Sequence, residues 1–255
     1  MPKLTPGLVS ITFRKLSPDE VIDLTCRAGL ASIEWGGDIH CPHGDEGAAR
    51  RVGEATRAAG LAVAAYGSYY RLGHSEQDGP AFDLVLRSAA ALGAPLIRVW
   101  AGTRGSAQAD PSYRDWVARE ARRIAEQAAG QGIRIALEFH GQTLTDTTES
   151  ALALLESAAH PNLRCLWQPG NAWSPADRLS SLRRIGPWLE HLHVFHWDDA
   201  NRRLTLAQGA SDWSGYLREA ATLRPNAAAL LEFVAGDSPE AFLQDAATLR
   251  SWLEA

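Results

Sequence analysis

The stretch GIRIALEFHG, residues 132–141, ends on a carboxylate and an imidazole two positions apart. Ile133, Ile135, Leu137 and Phe139 form one apolar set, so Glu138 and His140 share the opposite face with Ala136 in a strand whose side chains alternate. Comparable groups close other short apolar runs: Glu34 and Trp35 in SIEWGG, Arg98 and Trp100 in PLIRVWAG, and Gln168 in LRCLWQP. LEHLHVFHW carries His191, His193 and His196, and LLEFV carries Glu232 in the same LEF context as Glu138. Two carboxylates, an imidazole and an amide oxygen brought together would suit a divalent ion of intermediate hardness, Mn²⁺ first, with Mg²⁺, Co²⁺ or Zn²⁺ as alternatives. The residues alone leave rival readings open. Glu138 could form a structural ion pair with Arg98, His193 could be a hydrogen-bonded interior histidine, and His191 shares its face and could exchange roles with it.

These groups meet only if the strands that carry them close around a common axis. Strand-like runs alternate with longer helical ones to the end of the chain: 7–13, 32–37, 61–70, 95–102, 134–140, 163–169, 189–197 and 228–234. Helical stretches follow each, opening on signals such as Ser17 before Pro18 and the TDTTES cluster, and the first closing on Gly29. Eight βα units predict a single-domain (β/α)₈ TIM barrel over residues 1–255, whose carboxyl strand ends form the site. A doubly wound open sheet is the alternative, disfavoured because no G-x-G-x-x-G follows the first strand.

Composition narrows the function classes. A net charge of −5 argues against gripping a phosphate backbone. Cys26, Cys41 and Cys165 are odd in number and lack metal spacing, so a disulfide framework is not expected and a reducing cytoplasm fits. Neither a signal peptide nor a membrane span is expected.

LEFH, WQPGN, HLHVF and LEFV, with IEWGGD, YGSYYR and LGAPLIRVWAG, resemble the xylose isomerase-like TIM barrels, the sugar phosphate isomerase/epimerase group related to apurinic endonucleases. The resemblance implies one metal held by Glu138, Gln168, His193 and Glu232, with Gln168 standing where the family usually has Asp. It also implies Glu138 and Glu232 as the proton-transfer pair. His140, Arg98, Asn171 and Arg202 or Arg203 are expected as substrate partners, and Trp35, Trp100 and Trp167 as apolar walls. His40, His43 and His74 are expected in exposed loops; Tyr66, Ser68 and Tyr69 are candidates for lining the pocket.

The expected function is a metal-dependent isomerase or epimerase of a sugar, working through an enediolate. A lyase eliminating water from a keto-sugar or cyclic polyol ketone at the same metal is the alternative. Abasic-site nuclease activity and a non-catalytic barrel rank lower. Small-molecule substrates, no nucleic acid or membrane partner, and a homo-oligomer complete the expectation.

Overall fold

The computed structural model describes residues 3–170, 173–198 and 200–254. Eight parallel strands, β1 (Thr5–Val9), β2 (Ser32–Gly36), β3 (Ala62–Arg71), β4 (Leu96–Trp100), β5 (Arg134–Glu138), β6 (Leu163–Trp167), β7 (Leu189–Val194) and β8 (Ala228–Leu231), pair in sequence order. The sheet closes where Gly7 and Leu8 of β1 register with Leu230 and Leu231 of β8. Parallel neighbours need crossovers, supplied by α1 (Pro18–Arg27), α2 (Glu46–Ala58), the single turn α3 (Ser75–Asp78) with α4 (Phe82–Leu92), α5 (Pro111–Ala129), α6 (Thr148–Ala158), α7 (Pro175–Ile185) and α8 (Ala210–Leu223); α9 (Pro239–Glu254) follows the last strand. This is the (β/α)₈ barrel that the alternation predicts, not the open sheet.

Local chemistry sets the helix starts. Ser17 and Glu20 form a reciprocal capping box ahead of Pro18, and Asp110 and Ser174 cap helices that also begin with proline. The strands are shorter than the apolar runs suggest. After Val9, residues Ser10–Phe13 turn into a 3₁₀ helix, and the ladders of β5, β7 and β8 stop at Glu138, Val194 and Leu231. The chain leaves the sheet where its side chains enter the mouth. No helix among the described residues is long and apolar enough to cross a membrane.

The main apolar core lies between sheet and helices, while Ala65, Leu96, Ala136 and Leu166 form a separate cluster. One inward step further along β4 and β5 come Arg98 and Glu138. The barrel therefore passes within one residue pair from an apolar layer to a buried ionic one.

Candidate active site

The side chains of Glu138, His193 and Glu232 converge at the carboxyl ends of β5, β7 and β8. Each is buried, and one ligand atom from each lies within 4.8 Å of the other two. His193 Nδ1 stands 3.6 Å from Glu138 Oε1 and 3.3 Å from Glu232 Oε2. Gln168 completes the group: its Oε1 lies 3.2 Å from the same nitrogen, while its amide Nε2 donates to the Phe139 carbonyl at 2.5 Å and lies 3.3 Å from Glu138 Oε1. Three oxygens and one nitrogen face a common point. The set fits a divalent cation, because Gln168 turns its acceptor oxygen toward His193 Nδ1 while its amide N–H groups are taken up by the Phe139 carbonyl and Glu138 Oε1.

Arg98 lies beneath this point, 1% exposed. Its Nη1 donates to Glu138 Oε2, an oxygen that also accepts from Trp100 Nε1 at 2.5 Å. Its Nε donates to Glu34 Oε1 at 2.6 Å. Glu34 is fully buried, and its second oxygen, Oε2, lies 3.1 Å from His193 Nε2. So the structural ion pair and the convergence of Glu138, His193 and Glu232 coexist: Glu138 gives Oε2 to Arg98 and keeps Oε1 toward the cluster.

The electrostatics follow from that closure. Burial works to raise the Glu34 pKa, but the Arg98 and His193 charges outweigh it and hold it at about 2. Glu138 is lowered in the same way against burial, by Arg98 first and then His193. Burial would lower the pKa of His193, yet Glu232 and Glu34 raise it well above its ordinary range. Without a cation, then, His193 carries a proton that ligation through Nδ1 would displace.

Above the cluster opens a cavity of 390 Å³. Glu138, Gln168 and Glu232 form its floor, and Trp100, Trp173, Phe195, Trp197 and Phe233 supply flat apolar walls. Tyr69 enters because β3 bulges between Gly67 and Tyr70 and Tyr69 takes a left-handed φ of 55°. Its ring lies 4.8 Å from the Arg98 guanidinium carbon. His140 stacks on Trp100 at 4.2 Å, with Nδ1 2.8 Å from the Gly141 carbonyl. Since a carbonyl only accepts, Nδ1 carries the proton and Nε2 is the atom left for a ligand.

Not every expected residue reaches the cavity. Trp35 points outward and donates to Thr56 Oγ1 at 3.1 Å, because alternation turns it away whenever Glu34 faces in; Trp167 does the same toward Ser181. Arg202 is bound to Asp198 on the surface, 78% exposed, whereas Arg203 lies over the wall residue Phe233 at 4.6 Å. Asn171 lies outside the described residues. His191 sits lower, with Nε2 3.2 Å from the Ala64 carbonyl and Nδ1 accepting from Ala228 N, which leaves the ligand position to His193. His40 is buried against Ser10 rather than exposed, and Tyr66 and Ser68 are spent on Cys41, His43 and Arg98 backbone or ring atoms. Arg14, Asp146 and Trp173, which line the cavity, carry no signal in strand alternation because all three lie in loops.

Comparison with known proteins adds to this geometry. The family model described as a xylose isomerase-like TIM barrel matches residues 22–252. A 3-dehydroshikimate dehydratase from Bacillus anthracis is 38% identical over 98 residues, covering 38% of this chain and 35% of that protein, about a third of its length. Among solved structures, the probable 3-DHS dehydratase AsbF of Bacillus anthracis superimposes with a TM-score of 0.84 at 22% identity, over 97% of this chain and 99% of that one. D-psicose 3-epimerase from Clostridium cellulolyticum H10 gives 0.76 at 14% identity, over 98% of each chain.

Proposed function

The chain belongs to the xylose isomerase-like TIM barrel family, and from that premise we propose that it is a metal-dependent dehydratase acting on a cyclic hydroxy ketone, 3-dehydroshikimate first. The observation that carries this choice of elimination over epimerisation is the local identity to a 3-dehydroshikimate dehydratase. The aromatic walls support it, since a flat six-membered ring meets Trp100, Trp173 and Trp197 better than an open-chain sugar does.

The residues divide the work as follows. When bound, a divalent cation held by Glu138, Gln168, His193 and Glu232 supplies Lewis-acid polarisation of the ketone oxygen. Glu232 is the base: among the described residues its carboxylate pairs only with His193, whereas Glu138 is tied through Oε2 to Arg98 and Trp100. Glu232 takes the proton from the carbon beside the ketone. The C–O bond on the next carbon breaks, and the departing hydroxyl leaves as water with the proton that Glu232 has taken up, which restores the carboxylate. One substrate becomes one unsaturated product and one water; tautomerisation of the product then yields an aromatic diol carboxylate. The apolar walls exclude solvent while negative charge resides on the enolate oxygen.

The second reading, epimerisation, rests on Glu138 and Glu232 both reaching the same cluster, which is what proton removal and return on opposite faces would use. One incubation separates the two. Protein supplied with Mn²⁺ and 3-dehydroshikimate in deuterated water should give a product lighter by one water with the ultraviolet absorbance of a catechol. Deuterium in a recovered sugar ketone or its isomer, with no unsaturated product from any cyclic ketone, would replace elimination by epimerisation.

A further inference from the structure

We propose that Glu34 is a positioning residue whose two oxygens aim two of the metal-binding side chains at once, His193 directly and Glu138 through Arg98. The inference rests on the reading of the mouth as a cation site, and it concerns a carboxylate that none of the chemistry above consumes.

Three observations converge on it. Glu34 is fully buried, an environment in which a carboxylate persists only with dedicated partners. Those partners are divided between its oxygens: Arg98 Nε on Oε1 at 2.6 Å and His193 Nε2 on Oε2 at 3.1 Å. Finally, the backbone makes room for the pair. A Cβ on Gly67 would stand 2.6 Å from Arg98 Nη2 and 2.8 Å from Glu34 Oε1, so β3 carries glycine where any side chain would collide with this ion pair.

The consequence lies in the donor and acceptor count. Both partners present N–H groups to Glu34, and a carboxylate has an acceptor for each. A hydrogen on His193 Nε2 leaves the Nδ1 lone pair facing Glu138, Gln168 and Glu232, the geometry needed for ligation. Arg98, held against Glu34, keeps Glu138 Oε2 occupied and Oε1 turned toward the same point. An amide in place of Glu34 offers one acceptor only. Arg98 cannot give up its proton, so it takes the amide oxygen. The amide NH₂ then faces His193 Nε2 and calls for its lone pair, moving the ring proton to Nδ1 and into the cation position. Glu34→Gln therefore differs from wild type in the tautomer of a ligand it does not replace.

The test measures Mn²⁺ affinity by titration calorimetry for the wild type, Glu34→Gln and Glu34→Asp, with ¹⁵N-histidine NMR on the Zn²⁺-loaded proteins. Outer partners of ligating histidines are worth about 10–100-fold in metal affinity, and Glu34→Gln should lose that much. Glu34→Asp, with both acceptors retained, should recover part of it. The wild type should show His193 Nε2–H in a carboxylate hydrogen bond, far downfield. Equal Mn²⁺ affinity in Glu34→Gln, or a His193 Nε2–H resonance unchanged by it, would overturn the proposal. Should Glu34→Gln fail to fold, the wild-type Nε2–H signal still decides: its absence overturns the assignment. If the wild type binds no cation at all, the metal reading fails by itself, and the His193 to Glu34 hydrogen bond is then read in the metal-free protein.

Discussion

At the amino ends of β5, β6 and β7, one carboxylate, Glu190, is buried among Arg134, Arg164 and Arg224, with nitrogens 2.8, 3.7 and 3.0 Å from its oxygens. At the carboxyl ends the proportion is reversed: one guanidinium, Arg98, serves Glu34 and Glu138 with Glu232 close by. The arginines around Glu190 are 27 to 39% exposed, so water shares their excess charge. Glu34, Glu138 and Glu232 are nearly sealed, at 0 to 6%. One end is a clamp. The other holds three carboxylates against one arginine, a surplus of two negative charges whenever His193 is neutral, which a single dication would neutralise. The surplus, more than the identity of any one side chain, is what supports the proposal of a cation at the mouth.

The sharpest way to break this contrast is through the proposed base. Glu232→Gln removes a carboxylate from the floor of the cavity without altering its shape, and turnover should fall by about 10²–10⁴-fold, the usual worth of a positioned base. Thermal unfolding of the metal-free variant should stay near wild type, since with His193 protonated the layer has one negative charge in excess and the variant removes it. Activity within a few fold of wild type would move the base to Glu138 or His140.

Arg98→Met attacks the opposite sign. It leaves Glu34 and Glu138 buried without their counter-ion, a loss of about 3–5 kcal/mol by urea unfolding in the presence of chelator. Saturating Mn²⁺ should return part of that loss, because a cation that binds only the folded state stabilises it by mass action. A variant indifferent to Mn²⁺ would show that the mouth does not collect cations.

How far the sequence announced this layer depends on the distance between partners. Glu138, His193 and Glu232 were legible because each closes an apolar strand and the (β/α)₈ pattern says where such ends go. Arg98 was visible as a charge on an apolar strand. Glu34 was visible only as a polar strand end, because its partners lie 64 and 159 positions away and no local spacing encodes them. Trp35 and Trp167 failed for a readable reason: each neighbours an inward polar residue, so alternation had already turned them outward. Arg202 and Arg203 could not be separated, since a loop has no periodicity to say which one faces the cavity wall.

Gln168→Asp tests the charge balance itself. With Gln168 and a neutral His193 the layer and a dication sum to neutrality; an aspartate adds one negative charge that the dication leaves uncompensated. Mn²⁺ affinity should rise by about tenfold, the scale of one added charge-assisted ligand, while the metal-free protein becomes less stable through like-charge crowding. Unchanged affinity would mean that Gln168 Oε1 does not reach the ion.

Acid should dissect the same layer. Glu34 titrates at about 2 against an ordinary value of 4.5. A carboxyl lowered on folding contributes stability that is complete above its unfolded value and is lost as pH falls toward the folded one. Urea midpoints of the metal-free protein should therefore decline between pH 4.5 and about 2, and Arg98→Met should shift the onset of that decline upward, because Arg98 is the largest charge holding Glu34 down.

The smallest effect is expected at the clamp. Glu190→Gln leaves Arg134, Arg164 and Arg224 without their shared carboxylate, but each keeps a third or so of its side chain in water and Arg164 retains the Pro187 carbonyl at 3.2 Å. Solvent replaces most of what is lost, so the urea midpoint should correspond to a cost of about 1 kcal/mol, with Mn²⁺ affinity and turnover unchanged. A loss as large as that of Arg98→Met would mean that burial of the carboxylate, and not the shortage of counter-charge, sets the cost at both ends; the mouth would then have no special claim to a cation on electrostatic grounds.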